Sequence, residues 1–351
     1  MAWTYNKVTA IGFLLLTLLA ILTFYALIEV RKNDNPVTPF QETGTLGPEV
    51  REAEKNWWVD KIVEFGPETA YKLFLANYNF ANDPSKHILG HIFGESLYET
   101  SGLDSIGVCD WNLTSGCYHS LYSLVIRERG QSIITELDKY CSKFIGSKFL
   151  NCQHGIGHGL IYATGYELED LLIALDTCGN LTYPHYLSGC ESGAFMEFNK
   201  RTMAETGERK VDDTEIFYPC ELVDALYKNN CYYELSQWYL SASENNFEKT
   251  AALCGQVIDA DNKLACFHGL VVFLGVIDKF ESVLASHICS ELDNTYGYDF
   301  DTCLMAYSAG LPLTNDIISI RGKICGDVRN IENKSKCRYQ TLDEFFFTNS
   351  L

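Results

Sequence analysis

At 351 residues, with 47% hydrophobic and 21% charged side chains, the chain can bury a substantial core, so its cysteines are not rescuing a mini-domain. A formal charge of -19 repels phosphate backbones and anionic lipid, which argues against nucleic acid as a partner.

The chain opens with MAWTYNK at 1–7, expected to be a short cytoplasmic stub, followed by the apolar run VTAIGFLLLTLLAILTFYALIEV at 8–30. At 1.5 Å per residue this run spans a bilayer core of about 30 Å. It exceeds the 7–15 apolar residues of a cleaved leader, and bulky Phe24 and Tyr25 stand where small cleavage-site residues belong. The segment therefore reads as an uncleaved transmembrane signal anchor. Lys7 on one flank and Arg31 and Lys32 on the other nearly balance the positive-inside rule. The fourteen cysteines decide orientation: all lie between Cys109 and Cys337, and an even, regular set belongs in an oxidising compartment. The expected placement is a single-pass cell-membrane protein with its C-terminal domain extracytoplasmic. Sequons at Asn112, Asn180 and Asn333 are compatible with a glycoprotein.

Residues 31–47 carry a Pro/Gly-rich linker signature. From 48 to 107 three amphipathic helices are predicted, the third opening at Asp83-Pro84 with an N-cap and a first-turn proline. Residues 108–351 then show the dominant pattern, seven successive cysteine pairs: Cys109/Cys117, Cys141/Cys152, Cys178/Cys190, Cys220/Cys231, Cys254/Cys266, Cys289/Cys303 and Cys325/Cys337. First members recur every 32–42 residues, the period of helix-pair arrays. Apolar runs precede and follow each pair, so each unit reads as a helix ending near one cysteine, a loop, and a return helix starting near the next. Nearest-neighbour bridges satisfy the Cα separation of about 4.4–6.8 Å that a disulfide needs in such a hairpin; other connectivities stay open on spacing alone. Because no C-x-x-C occurs, the cysteines do not read as metal ligands.

On period and pairing, residues 105–340 resemble Sel1-like and tetratricopeptide-like helix-pair repeat proteins, especially secreted cysteine-rich ones. They lack those families' Ala/Gly/Tyr consensus. The resemblance implies an all-α fold, either an α-solenoid or a closed α/α ring, that displays a binding surface. It carries over no functional residues.

The chemistry concentrates in histidines. HILGHIFGE sets His87, His91 and Glu95 at successive i, i+4 steps on one helical face, and CQHGIGHG does the same with His154 and His158. His119, His154 and His268 each follow a second-of-pair cysteine by two residues. Two imidazoles four apart can face one ion, so His87, His91, His119, His154 and His158 are candidate metal ligands. Glu95 and Glu197 are candidate carboxylate ligands or bases. Imidazole suits Zn, Cu or Fe. Helix-interior glycines at 90, 94, 155 and 159 each cost about 1 kcal/mol against alanine, a loss that close helix approach would offset. The plainer alternative makes each histidine a hydrogen-bonded core group. No nucleophile elbow, Walker loop or dinucleotide fingerprint is present. Two functions follow as expectations. One is a tethered binding or scaffold module for an envelope or membrane protein; the other is a metal-dependent hydrolase or oxidoreductase.

Overall fold

The computed structural model describes residues 47–78, 83–109, 116–205, 209, 215–277, 282–311, 315–340 and 344–345. The described residues are all-α, with no strand among them. No helix among them is long and apolar enough to cross a membrane; the predicted span at 8–30 lies outside the described residues.

Three helices form the N-terminal block: α1 (Pro48–Phe65), α2 (Pro67–Tyr78) and α3 (Asp83–Ser101). Trp58, Phe74, Tyr78 and Phe93 interlock there, with the Trp58 ring centre 4.8 Å from Phe74 and 5.5 Å from Phe93. Gly102, at φ +58°, ends α3 in a conformation that side chains resist. The array follows as α4 (Gly116–Arg129), α5 (Ile134–Cys141), α6 (Ser147–Thr164), α7 (Leu168–Gly179), α8 (Cys190–Asn199) and α9 (Lys228–Ala242). It continues with α10 (Phe247–Gln256), α11 (Ala260–Ile277), α12 (Ser282–Tyr296), α13 (Phe300–Gly310), α14 (Asn315–Ile324) and α15 (Ile331–Tyr339).

All fourteen cysteines are bridged, each to its nearest neighbour in sequence, with Cα separations of 5.4–5.7 Å. Cys109 joins Cys117, Cys141 joins Cys152, Cys178 joins Cys190, and Cys220 joins Cys231. Cys254 joins Cys266, Cys289 joins Cys303, and Cys325 joins Cys337.

The expected unit needs three local corrections. Cys109 follows a short 3-10 segment, Gly102–Val108, rather than a full helix. Cys220 lies in a run of turns, because Pro219 immediately before it denies a helix both a donor and the α conformation at Tyr218. The third correction concerns where the return helices begin. Cys190 opens its helix as expected, but Cys152, Cys231, Cys266, Cys303 and Cys337 lie inside theirs, since α6 starts at Ser147, α9 at Lys228, α11 at Ala260, α13 at Phe300 and α15 at Ile331. Capping chemistry sets the starts of α9, α11 and α13, not the bridge. The Asp299 carboxylate accepts the Thr302 amide ahead of α13, and Asp259 accepts that of Asn262 ahead of α11. Asp224 likewise caps the 3-10 turn Ala225–Tyr227 that leads into α9. A disulfide fixes one Cα separation and leaves the helix free to start earlier.

The helices that carry the second cysteines from Cys117 to Cys303, with α3 ahead of them, are the interior ones. α3, α4, α6, α8, α9, α11 and α13 pack each upon the next in chain order, while α5, α7, α10 and α12 flank them. From Cys117 to Ser123, from Cys152 to Ile161 and from Cys190 to Phe195 every residue is buried, so these helices are covered all round.

Glycines set how closely the interior helices approach. A Cβ on Gly157 would lie 1.9 Å from the Cys190 carbonyl oxygen, and one on Gly193 would lie 2.0 Å from that of His154. The same contact recurs at Gly94 against the Cys117 carbonyl (2.4 Å) and Gly269 against that of Tyr233 (2.0 Å).

Two outcomes follow. Peptide mapping without reductant will recover the seven nearest-neighbour bridges; each closes a short loop and contributes about 3 kcal/mol in the chain-entropy model. Gly157→Ala pits a helix-propensity gain of about 1 kcal/mol against a clash with backbone that cannot retreat. The clash should win, lowering stability in urea by about 1–3 kcal/mol. A variant more stable than the parent would refute the contact.

Candidate metal centre

The face of α6 that carries His154 and His158 is fixed by its glycines. With about 100° between successive residues, the 154/158 stripe lies between two small-residue faces. On one side Gly155 and Gly159 press on α4, where added Cβ atoms would meet the Tyr122 ring at 2.7 Å and Ile126 at 2.6 Å. On the other, Gly157 presses on α8. The histidines therefore point into the seam between α4 and α8, and each of those helices sends a partner into it.

From α4 comes His119, whose ring stacks on His158 with centres 3.9 Å apart and lies 5.7 Å from that of His154. From α8 comes Glu197, whose Oε2 accepts a hydrogen bond from His158 Nδ1 at 2.8 Å. The His158 and His154 Nε2 atoms face each other at 3.1 Å. Side-chain ligand atoms of His119, His154 and His158 all lie within 4.8 Å of one another. The three residues are 3%, 6% and 3% exposed.

This arrangement suits an ion. A carboxylate can only accept, so it assigns the proton to His158 Nδ1; in the neutral ring Nε2 then offers a lone pair inward. A carboxylate behind a ligating imidazole is the usual device for fixing its tautomer and orientation. Two nitrogens bound tetrahedrally to one ion at about 2.05 Å stand about 3.3 Å apart, close to the Nε2 separation seen here. With every cysteine bridged, no thiolate is on offer, and the gathered donors are imidazole nitrogens. Burial alone would push the Glu197 carboxyl up. The hydrogen bond from His158, with positive charge nearby such as that of Lys200, outweighs it and holds Glu197 below the usual carboxylate range.

Of the other expected site residues, His91 stands beside the trio, half-buried, its ring centre 5.6 Å from that of His119. Glu95 pairs with Arg51 on α1. The side chain of His87 lies outside the described residues. Sequence reasoning missed two contacts of Glu197: Tyr166, whose hydroxyl donates to Oε1 at 3.0 Å, and Lys200, 3.8 Å away. The fold alone brings Tyr166 near, whereas Lys200 stands three residues beyond Glu197, an i, i+3 contact legible in the sequence.

His268, the third histidine two residues beyond a cysteine, follows the plainer reading. Its Nδ1 meets the Tyr298 hydroxyl at 2.6 Å, Phe345 packs on the ring at 5.0 Å, and burial pushes its pKa down to about 3. It is a neutral core residue.

A second buried polar cluster joins α8 to α9. Glu191 pairs with His185 Nδ1 at 2.5 Å and accepts from Asn230 Nδ2 at 2.8 Å, while the Ser192 hydroxyl donates to Asn230 Oδ1 at 2.7 Å. Burial raises Glu191 to about 8 and lowers His185, so both partners favour one neutral pair with the proton on the carboxyl.

No family model, curated protein or solved structure matches the chain. Function must be argued from the site itself.

The Glu191 cluster yields a pH prediction. An unfolded carboxyl ionises near its ordinary value of 4.5, whereas the folded one keeps its proton to about 8. The fold therefore binds the extra proton, and its stability falls as pH rises through that window. Glu191→Gln should reduce the fall in melting temperature between pH 5 and pH 8; an unchanged slope would place the titration elsewhere.

Proposed function

We propose that the protein is a membrane-tethered, extracytoplasmic helical-repeat scaffold built around a transition-metal centre at His119, His154 and His158. The observation that carries this reading is one cluster: three buried imidazoles from two successive units with their ligand atoms gathered in one place, one of them oriented by a carboxylate.

The arrangement of cross-links gives the ion a structural task. Every disulfide closes a loop inside one unit, and none joins a unit to the next. An ion held by His119 on α4 and by His154 and His158 on α6 would link consecutive units where the sulfurs do not. In this reading the helix pairs form an open solenoid whose flanking helices meet a partner in the envelope or the membrane. The anchor at 8–30 keeps the acidic domain near that partner. Zn, Cu and Fe remain the ions that imidazole donors suit best.

The enzyme reading draws on the same rings. It is supported by the count of protein ligands, since three leave one position of a four-coordinate ion for water. Against it stand the low exposure of all three rings and the engagement of both candidate carboxylates. Glu197 holds His158 as a positioning residue, and Glu95 holds Arg51.

Elemental analysis of the purified protein should find one transition ion per chain, absent from the His154→Ala/His158→Ala variant. Removing it with a chelator should lower the melting temperature; an ion supplied at a thousandfold over its Kd stabilises by about 4 kcal/mol. Glu197→Gln, which keeps the size but not the charge, should weaken affinity by about 10–100-fold. A metal-free protein whose melting is indifferent to zinc and chelator would defeat the proposal.

A further inference from the structure

Resting on that metal-centre reading, we infer that His91 supplies the fourth ligand, so that the ion also ties the N-terminal block of α1–α3 to the repeat array.

α3 and α6 share a register. In α6, His154 stands three residues before Gly157, the glycine that touches the carbonyl of a cysteine, Cys190, in the following interior helix. In α3, His91 stands three residues before Gly94, which touches the carbonyl of Cys117 in its following interior helix. The carbonyls of the two histidines are used alike as well. Gly193, three residues past Cys190, packs on the His154 carbonyl, while Ser120, three residues past Cys117, donates its hydroxyl to the His91 carbonyl at 2.8 Å. By both contacts α3 is an interior helix of the array that has lost its cysteine: Leu89 occupies the place that Cys152 holds in α6. His91 thus sits in the register of His119 and His154, two residues beyond that place.

The ring distances agree with the register. Four imidazoles around one tetrahedral ion, bound at about 2.05 Å, have ring centres about 5 Å apart. The rings lie at 5.6 Å for His91–His119, 5.7 Å for His119–His154, 4.9 Å for His154–His158 and 3.9 Å for His119–His158, a spread centred on that value. The ligand atoms gathered within 4.8 Å are those of His119, His154 and His158, so the inference requires the half-buried His91 side chain to turn its nitrogen inward when the ion binds.

The consequence is mechanical. No disulfide reaches α1, α2 or α3, because the first cysteine follows them. An ion shared by α3, α4 and α6 would be the only cross-link between the two parts, other than the backbone itself, among the described residues.

The test uses the full-length protein in detergent, with Zn2+ and Co2+ as probes and His91→Ala and His91→Gln as variants, each checked for unchanged helicity. His287→Ala, an exposed histidine on α12, is the control. The inference expects at least a tenfold loss of Zn2+ affinity in both His91 variants and none in the control. It also expects a change in the visible absorption of bound Co2+, and Zn2+-dependent hydrogen-exchange protection of α3 that the variants lose. Unchanged affinity and Co2+ spectrum in the His91 variants, or protection confined to α4 and α6, overturns the inference while leaving the three-histidine centre standing. A parent protein that binds neither ion overturns both.

Discussion

The close crossing of α6 and α8 at Gly157 and Gly193 is the contact on which the site depends. Each glycine rests on a backbone carbonyl of the other helix, at a spacing that any Cβ would destroy. Interior helices at ordinary distance would leave His158 too far from Glu197 for a 2.8 Å hydrogen bond, and the imidazole would lose the group that orients it. Glycine weakens a helix by about 1 kcal/mol per position. Here that weakness falls at the positions flanking the histidine stripe, where it narrows two seams at once.

The cross-links divide the labour by direction. Disulfides act within a unit, holding a leading segment to its interior helix, and they constrain the unfolded chain as much as the folded one. Between units the fold relies on glycine contacts, buried aromatic packing and polar groups inside the stack. The polar groups come in two clusters along the same line of interior helices: the histidines between α4, α6 and α8, and Glu191 with Asn230 between α8 and α9. α8 serves both, offering Glu197 to one neighbour and Glu191 to the other. In repeat arrays stability is largely a sum of unit and interface terms, so these buried groups bear directly on how strongly adjacent units cohere.

Much of this was written in the sequence because it is local. Cysteine spacing pointed to the seven nearest-neighbour bridges, since a short loop between two helices leaves their ends adjacent. It did not say where each return helix starts: Cys231, Cys266 and Cys303 sit inside theirs because Asp224, Asp259 and Asp299 place the caps upstream. The i, i+4 histidines and their glycines announced a shared face and a close approach. What could not be read was which faces would meet. Glu95 looks as well placed as Glu197, lying one turn beyond His91, yet Arg51 from α1 claims its carboxylate. Tyr166 reaches Glu197 from beyond the end of α6, a proximity created by tertiary packing. The irregular leading segments have local causes as well, Pro219 before Cys220 and Gly102 before Cys109. Only the first follows from sequence chemistry without knowing where α3 ends.

The fate of His268 shows why a repeat position is not itself a function. It occupies the place of His154, two residues past its cysteine, with a glycine next to it that packs on the preceding interior helix just as Gly193 does. The difference lies in its neighbours. Where α6 has His158, six residues past Cys152, α11 has Val272; where α8 has Glu197, seven residues past its cysteine, α13 has Gly310. Deprived of a second nitrogen and a carboxylate, the His268 ring takes a tyrosine hydroxyl and an edge-type contact with Phe345 instead, and burial keeps it neutral. The interior register supplies a buried side chain in every unit from His119 to Met305; a metal centre arises only where consecutive units place complementary donors in the same seam.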